Sequence, residues 1–140
     1  MLFPAVRVSD LRASLAFYQA IGTEAVGRVG HGGTRMVMLA LPGEDEVILE
    51  LVERSDAGPV PAGGLDHLAI QVDDIGATRR ELLAAGLAPG AIEEPGGVDG
   101  PRTLTLVDPD GHHLELVQWP DDHPVAMTRA DFTDPSEEND

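Results

Sequence analysis

The chain repeats itself. Phe3 to Asp10 (Phe-Pro-Ala-Val-Arg-Val-Ser-Asp) matches His67 to Asp74 (His-Leu-Ala-Ile-Gln-Val-Asp-Asp) at an offset of 64 residues, which also puts Leu11 on Ile75 and Gly22 on Gly86. Leu49-Glu50-Leu51-Val52 recurs as Leu114-Glu115-Leu116-Val117 at an offset of 65. Self-similarity at a fixed period means one supersecondary unit used twice, each copy burying the apolar face the other leaves open. The units are residues 1–54 and 65–119, with 55–64 as a linker rich in Gly and Pro and without periodicity.

Each unit reads as βαβββ. Phe3 to Val8 alternates as a strand, with Phe3, Ala5 and Arg7 on one face and Pro4, Val6 and Val8 on the other. Ser9 or Asp10 caps a helix carrying Leu11, Leu15 and Tyr18 on one stripe, and Gly22 stops it. Strands follow at 24–29, 34–41 and 46–53, separated by the turns Gly30-His31-Gly32-Gly33 and Pro42-Gly43-Glu44-Asp45. The second unit has a strand at 65–72, a helix with Ile75, Leu82 and Leu83 ending at Gly86, a short strand at 91–94, then strands at 103–107 and 112–119 around the turn Asp108-Pro109-Asp110-Gly111. Two such units predict one α+β domain over 1–119, a curved mixed sheet with helices outside and a concave face open to a ligand or a partner.

Charge narrows the partners. The net charge is −16, from 25 acids against 9 bases, all of them Arg. Such a surface repels phosphate backbones and anionic lipid, so nucleic acid and membranes are not expected partners. No Cys is present, which excludes disulfides and thiolate chemistry. With no apolar run of membrane-spanning length and no leader at Met1, a cytoplasmic location is expected. Residues 121–140 hold seven acids and one Arg, and 120–140 read as an acidic tail.

Strand parity selects the chemistry. Glu115 shares a face with His113 and Val117, while Leu114 and Leu116 turn toward the helices. Glu50 repeats this setting, with Ile48 and Val52 beside it and Leu49 and Leu51 opposite. A carboxylate in mid-strand among apolar neighbours is costly unless paired or metal-bound. His67 opens the second unit on the face of Ala69 and Gln71, and imidazole beside carboxylate is a common ligand set for divalent metals. His113 has the parity of Glu115. His31 reads as a solvated turn residue. His123 bears on the cleft only if the tail folds over it. Phe3 and Trp119 read as an apolar wall against a flat ligand or as core, and Arg7 as a contact for an anionic group or a surface ion pair.

Four segments together resemble the vicinal oxygen chelate superfamily of glyoxalases, bleomycin-resistance proteins and extradiol dioxygenases, with the glyoxalase I pattern the nearest. They are Val8-Ser9-Asp10-Leu11 followed by Ser14 and Phe17-Tyr18; Ile48-Leu49-Glu50-Leu51; Asp66-His67-Leu68-Ala69-Ile70; and Asp108-Pro109-Asp110-Gly111 through Leu114-Glu115-Leu116-Val117. The resemblance implies a metal site of Glu50, His67 and Glu115. The family's first histidine is replaced by Phe3, the position where the repeat itself sets Phe3 against His67. It further implies a divalent metal (Zn, Ni, Mn or Fe) and a lyase or isomerase that transfers a proton at a metal-bound enediolate of a small oxygenated substrate. In this reading Glu115 is the base and Glu50 the second ligand or returning acid, and Phe3, Arg7, Gln71 and Trp119 contact the substrate. The family's pairing into homodimers would bring Glu50 of one chain to His67 and Glu115 of the other. The alternative it implies is a metal-free protein that sequesters a drug-like small molecule.

Overall fold

The computed structural model describes residues 3–56, 58–60, 65 and 67–123, apart from the side chain of His31. The expected linker therefore lies partly, and the tail after His123 wholly, outside the described residues. The element order is β1 (Ala5–Val8), α1 (Leu11–Ile21), β2 (Glu24–His31), β3 (Thr34–Ala40), β4 (Val47–Arg54), β5 (Leu68–Gln71), α2 (Ile75–Ala84), β6 (Arg102–Val107) and β7 (His113–Gln118). The protein is α+β, and each unit keeps its own mixed sheet, in the orders β1-β4-β3-β2 and β5-β7-β6. β1 runs parallel to β4, and β5 parallel to β7; the remaining pairs are antiparallel.

Local chemistry explains both helices. The Asp10 side chain accepts from the Ala13 N–H at 3.1 Å, and Asp74, its repeat mate, from Ala77 at 2.9 Å. Gly22 ends α1 in the left-handed region at φ 113°, where a side chain would be strained. A second pair of caps comes from the far ends of the sheets. Glu53, at the end of β4, accepts from the Leu11 N–H at 2.7 Å, and Gln118, at the end of β7, accepts from Ile75 at 2.8 Å. Each helix start is thus tied to the last strand of its own unit.

Three expectations need correction. Leu83 is exposed rather than on the buried stripe of α2, which rests on Ile75 and Leu82. The strand expected at 91–94 is reduced to a single bridge between Glu93 and Thr103, because the glycine-rich stretch after Glu94 turns away at once. The turn between β2 and β3 is only Gly32-Gly33, with β2 running on to His31.

The core lies between the sheets and their helices: Val6, Val8, Leu11, Phe17, Tyr18, Leu39, Leu49 and Leu51 from the first unit, Ile70, Ile75, Leu82, Leu104, Leu114 and Leu116 from the second. Leu49 and Leu51, and Leu114 and Leu116, occupy it as the alternation demands. Their neighbours Glu50 and Glu115 are left on the opposite, open faces. Among the described residues no helix is long and apolar enough to cross a membrane.

The Glu53 cap predicts a pH dependence. The Leu11 N–H, and after it Arg35, which donates from Nε at 3.0 Å, hold the Glu53 carboxyl below its ordinary value of 4.5. A depressed folded-state pKa contributes stability that is present above the ordinary range and lost as pH falls through the folded value. Glu53→Gln keeps an acceptor but not the charge. Urea melts of this variant at stepped pH are expected to show a shallower loss of stability below pH 4.5 than the native chain does. Unchanged acid limbs would remove Glu53 from the account.

Candidate functional site

The open faces are best read row by row across the strands. In the second sheet Ala69 lies beside Glu115 on β5, and Thr105 lies beside it on β6. One row further, Gln71, Val117 and Thr103 are aligned. Extending the parallel register by one residue from Leu68 and Leu114 sets His67 beside His113, with Val107 as the antiparallel neighbour of His113. The His67 imidazole Nε2 stands 4.0 Å from the Glu115 carboxylate, with side chains 43% and 36% exposed. That exposure leaves both groups accessible to a ligand while the strand backbone beneath them is fixed.

The first sheet repeats the geometry with different side chains. Glu50 lies between Ala5 on β1 and Met38 on β3, with Val52 between Arg7 and Met36 in the next row. Extending the parallel register by two residues from Ala5 and Glu50 sets Phe3 beside Ile48. Glu50 is half-buried in a surround of alanine, methionine, isoleucine and valine. Gly27 on β2 is the neighbour of Met38 on its other side.

The structure therefore brings His67 and Glu115 together and keeps Glu50 in the other sheet. Among the described residues no three His, Asp or Glu are placed to hold an ion. The donor types fit a divalent cation, since one imidazole beside one carboxylate suits Zn, Ni, Mn or Fe.

The remaining expected contacts are dispersed. The Arg7 guanidinium donates to the Gly58 carbonyl at 3.2 Å, and its Nε is buried without a partner. Gln71 lines a cleft of about 280 Å³ between the units, with Pro4, Ile48, Leu68 and Ala69. Trp119 stacks on His123, ring centres 4.2 Å apart and planes within 10°, so its ring is committed to the start of the tail segment.

The sequence reading missed the tie between the units. The buried Tyr18 hydroxyl donates to the buried Asp108 carboxylate at 2.8 Å, and burial followed by the charge of Asp108 pushes the phenol up. Asp110 accepts from the Ser9 N–H at 3.1 Å, and the His112 Nε2 lies 3.0 Å from the Arg7 carbonyl. The Asp-Pro-Asp-Gly segment signalled a turn, and its second task depends on long-range packing that local sequence does not encode.

Paired βαβββ-type units with carboxylates on open sheet faces define a class, and the family model agrees. The chain belongs to the Glyoxalase/Bleomycin resistance protein/Dioxygenase superfamily, whose model matches residues 2–116. It is 33% identical over 126 residues to the probable lactoylglutathione lyase of Vibrio cholerae serotype O1, covering 84% of this chain and 89% of that protein. Among solved structures it is similar to TnmS3, an antibiotic binding protein from Streptomyces sp. CB03234, at 25% identity and a TM-score of 0.68, covering 86% of this chain and 95% of that one. It is also similar to the bleomycin resistance determinant encoded on the transposon Tn5, at 25% identity and a TM-score of 0.60, covering 84% and 96%.

Proposed function

We propose that this chain is a glyoxalase-type lyase or isomerase that moves a proton between adjacent carbons of a small oxygenated substrate. The observation that carries the reading is the His67–Glu115 pair, 4.0 Å apart on an open face, with Glu50 at the matching position of the other unit. Relatives named for lactoylglutathione lyase, at 33% and 30% identity, support it.

In this reading Glu115 takes the proton from the carbon next to the substrate carbonyl, and a carboxylate returns it to the neighbouring carbon. The net change is an isomerisation: one C–H bond breaks, another forms, and no electrons leave the substrate. Glu50, carried to the site by a second copy in a homodimer, is the further ligand or the acid that returns the proton. His67 and Glu115 would hold a divalent cation, which supplies Lewis-acid stabilisation of negative charge developing on substrate oxygen. Arg7 would meet an anionic group, while Phe3, Gln71 and Trp119 would bound the remainder of the substrate.

Elemental analysis of untagged native protein and Glu115→Ala tests this. About one divalent ion per chain in the native protein, lost in the variant, is expected. No ion in either, after incubation with Zn, Ni and Mn, would sink the mechanism.

One observation favours a second reading. Phe3 stands where the repeat has His67, beside Ile48 and on the face of Met36 and Met38, an apolar surface suited to a flat ligand. A metal-free binding protein of this kind would hold an aromatic drug without turnover, and quenching of Trp119 fluorescence by such a ligand, with no product formed, would identify it.

A further inference from the structure

β5 is an edge strand, and its open edge borders a cleft. Among the described residues only β7 pairs with it. The Val72 N–H donates to the Val117 carbonyl, so in this parallel ladder residues 68, 70 and 72 direct their backbone groups to β7. Ala69 and Gln71 direct their N–H and C=O groups the other way, where among the described residues they meet no partner. Four consecutive residues, Leu68 to Gln71, line the cleft of about 280 Å³ between the units. Successive side chains of a strand point to opposite faces, so a cleft that touches all four runs along the strand's edge and not over one face. β7 contributes nothing to the lining, so the edge is the unpaired one. The opposite wall is Pro4, Leu41, Ile48 and Leu49, which is apolar and, at Pro4, without an N–H. Unpaired strand groups facing an apolar wall are what a peptide needs to add itself as a further strand.

Beyond Gln71 the groove changes character. A second cleft, of about 470 Å³, shares Leu41, Ile70 and Gln71 with the first and carries Glu44, Asp73, Asp74 and Glu81. No base lines either cleft. That end attracts a cation, and the net charge of −16 acts in the same sense.

We propose that the open edge of β5 is a docking site for a short extended peptide with a free amino terminus, lying antiparallel to β5 with its amino end toward Glu44, Asp73 and Glu81. The direction follows from the charges, because β5 runs from Leu68 toward Asp73. In an antiparallel ladder one peptide residue exchanges both backbone bonds with Gln71, and the residue two further on does so with Ala69. The residue between them lies opposite Ile70 and turns its side chain to the same face as Ile70, which is the core side and calls for an apolar group. The site draws on neither His67 nor Glu115. It uses the backbone of Gln71 and leaves that residue's side chain on the open face.

The test titrates the tetrapeptide Ala-Thr-Val-Thr amide into the full native chain, followed by proton–nitrogen correlation spectra. In the proposed register its first threonine meets Gln71, its valine Ile70 and its second threonine Ala69. Saturable shifts centred on the Ala69 and Gln71 amides are expected. N-methylation of the first threonine removes a donor that faces β5 and is expected to weaken binding about fivefold, the worth of one backbone bond. N-methylation of the valine, whose N–H faces away from β5, is expected to weaken it by less. Acetylating the amino terminus removes the cation and is also expected to weaken binding, by a factor that shrinks as salt is raised. Ala69→Pro, checked for folding by circular dichroism, removes one edge donor while sparing every bond to β7, and is expected to lower the affinity. Absence of saturable shifts at Ala69 and Gln71 in the native chain would overturn the proposal. So would equal affinity of the two methylated peptides, or undiminished affinity of the acetylated one. Each of these results leaves the His67–Glu115 reaction to be decided by its own metal and activity assays.

Discussion

Glu115→Gln is expected to lower kcat/KM for any substrate the chain isomerises by about 10²–10⁴-fold, the range general-base catalysis supplies. The substitution keeps the shape of the side chain and one oxygen acceptor, but the amide cannot take a proton at neutral pH. Of the two repeat-related carboxylates, Glu115 is the one beside an imidazole, while the neighbours of Glu50 are Ala5, Met38, Ile48 and Val52. Under the proposed function that difference gives them different tasks. Hemithioacetals and 2-hydroxyketones are the substrates to assay, each with native protein, Glu115→Gln and Glu50→Gln. Loss confined to Glu50→Gln would exchange the two roles. A drop of less than about tenfold in both would remove carboxylate base catalysis from the protein.

The repeat made much of this legible. Strand parity alone placed Glu50 and Glu115 on open faces, because Leu49, Leu51, Leu114 and Leu116 leave only one arrangement that buries them. Ser9 or Asp10, and Asp73 or Asp74, marked the two helix starts, and of each pair the aspartate at 10 and at 74 is the cap. What stayed hidden depends on register between strands distant in sequence. The neighbours of Glu50 on β1 and β3, and of His113 on β5, follow from the pairings Ala5–Glu50, Met38–Glu50 and Leu68–Leu114, which no local pattern reports. Leu83 misled for a related reason. It follows Leu82 directly, and successive residues on a helix are turned about 100° apart, so the sheet receives only one of them. Glu50 and His67 belong to different units, and each unit forms its own sheet.

The largest stability effect is expected at Asp108. Its carboxylate accepts from the Tyr18 hydroxyl at 2.8 Å, the Asp110 N–H at 2.9 Å and the His112 N–H at 2.8 Å, while its own N–H donates to the His112 carbonyl at 2.9 Å. It therefore shapes the turn that launches β7 and binds that turn to α1 of the other unit. Asp108→Ala leaves a phenol with 0% exposure without an acceptor, costing about 1–3 kcal/mol, and deprives the turn of two further bonds worth about 1 kcal/mol each. A total of about 3–5 kcal/mol is expected from urea melts, as a lower midpoint at unchanged slope. Tyr18→Phe removes one donor and leaves the carboxylate its two backbone partners, so a smaller loss is expected. The double variant decides whether the bond itself is responsible. Removing both partners is cheaper than orphaning one, so Tyr18→Phe combined with Asp108→Ala is expected to cost less than the sum of the single changes by about 1 kcal/mol or more. Strict additivity would mean that Asp108 acts through its turn alone and that the units are held together elsewhere. Since β7 carries Glu115 shortly beyond this turn, the coupled result would also make the junction between units the element that sets where that carboxylate stands.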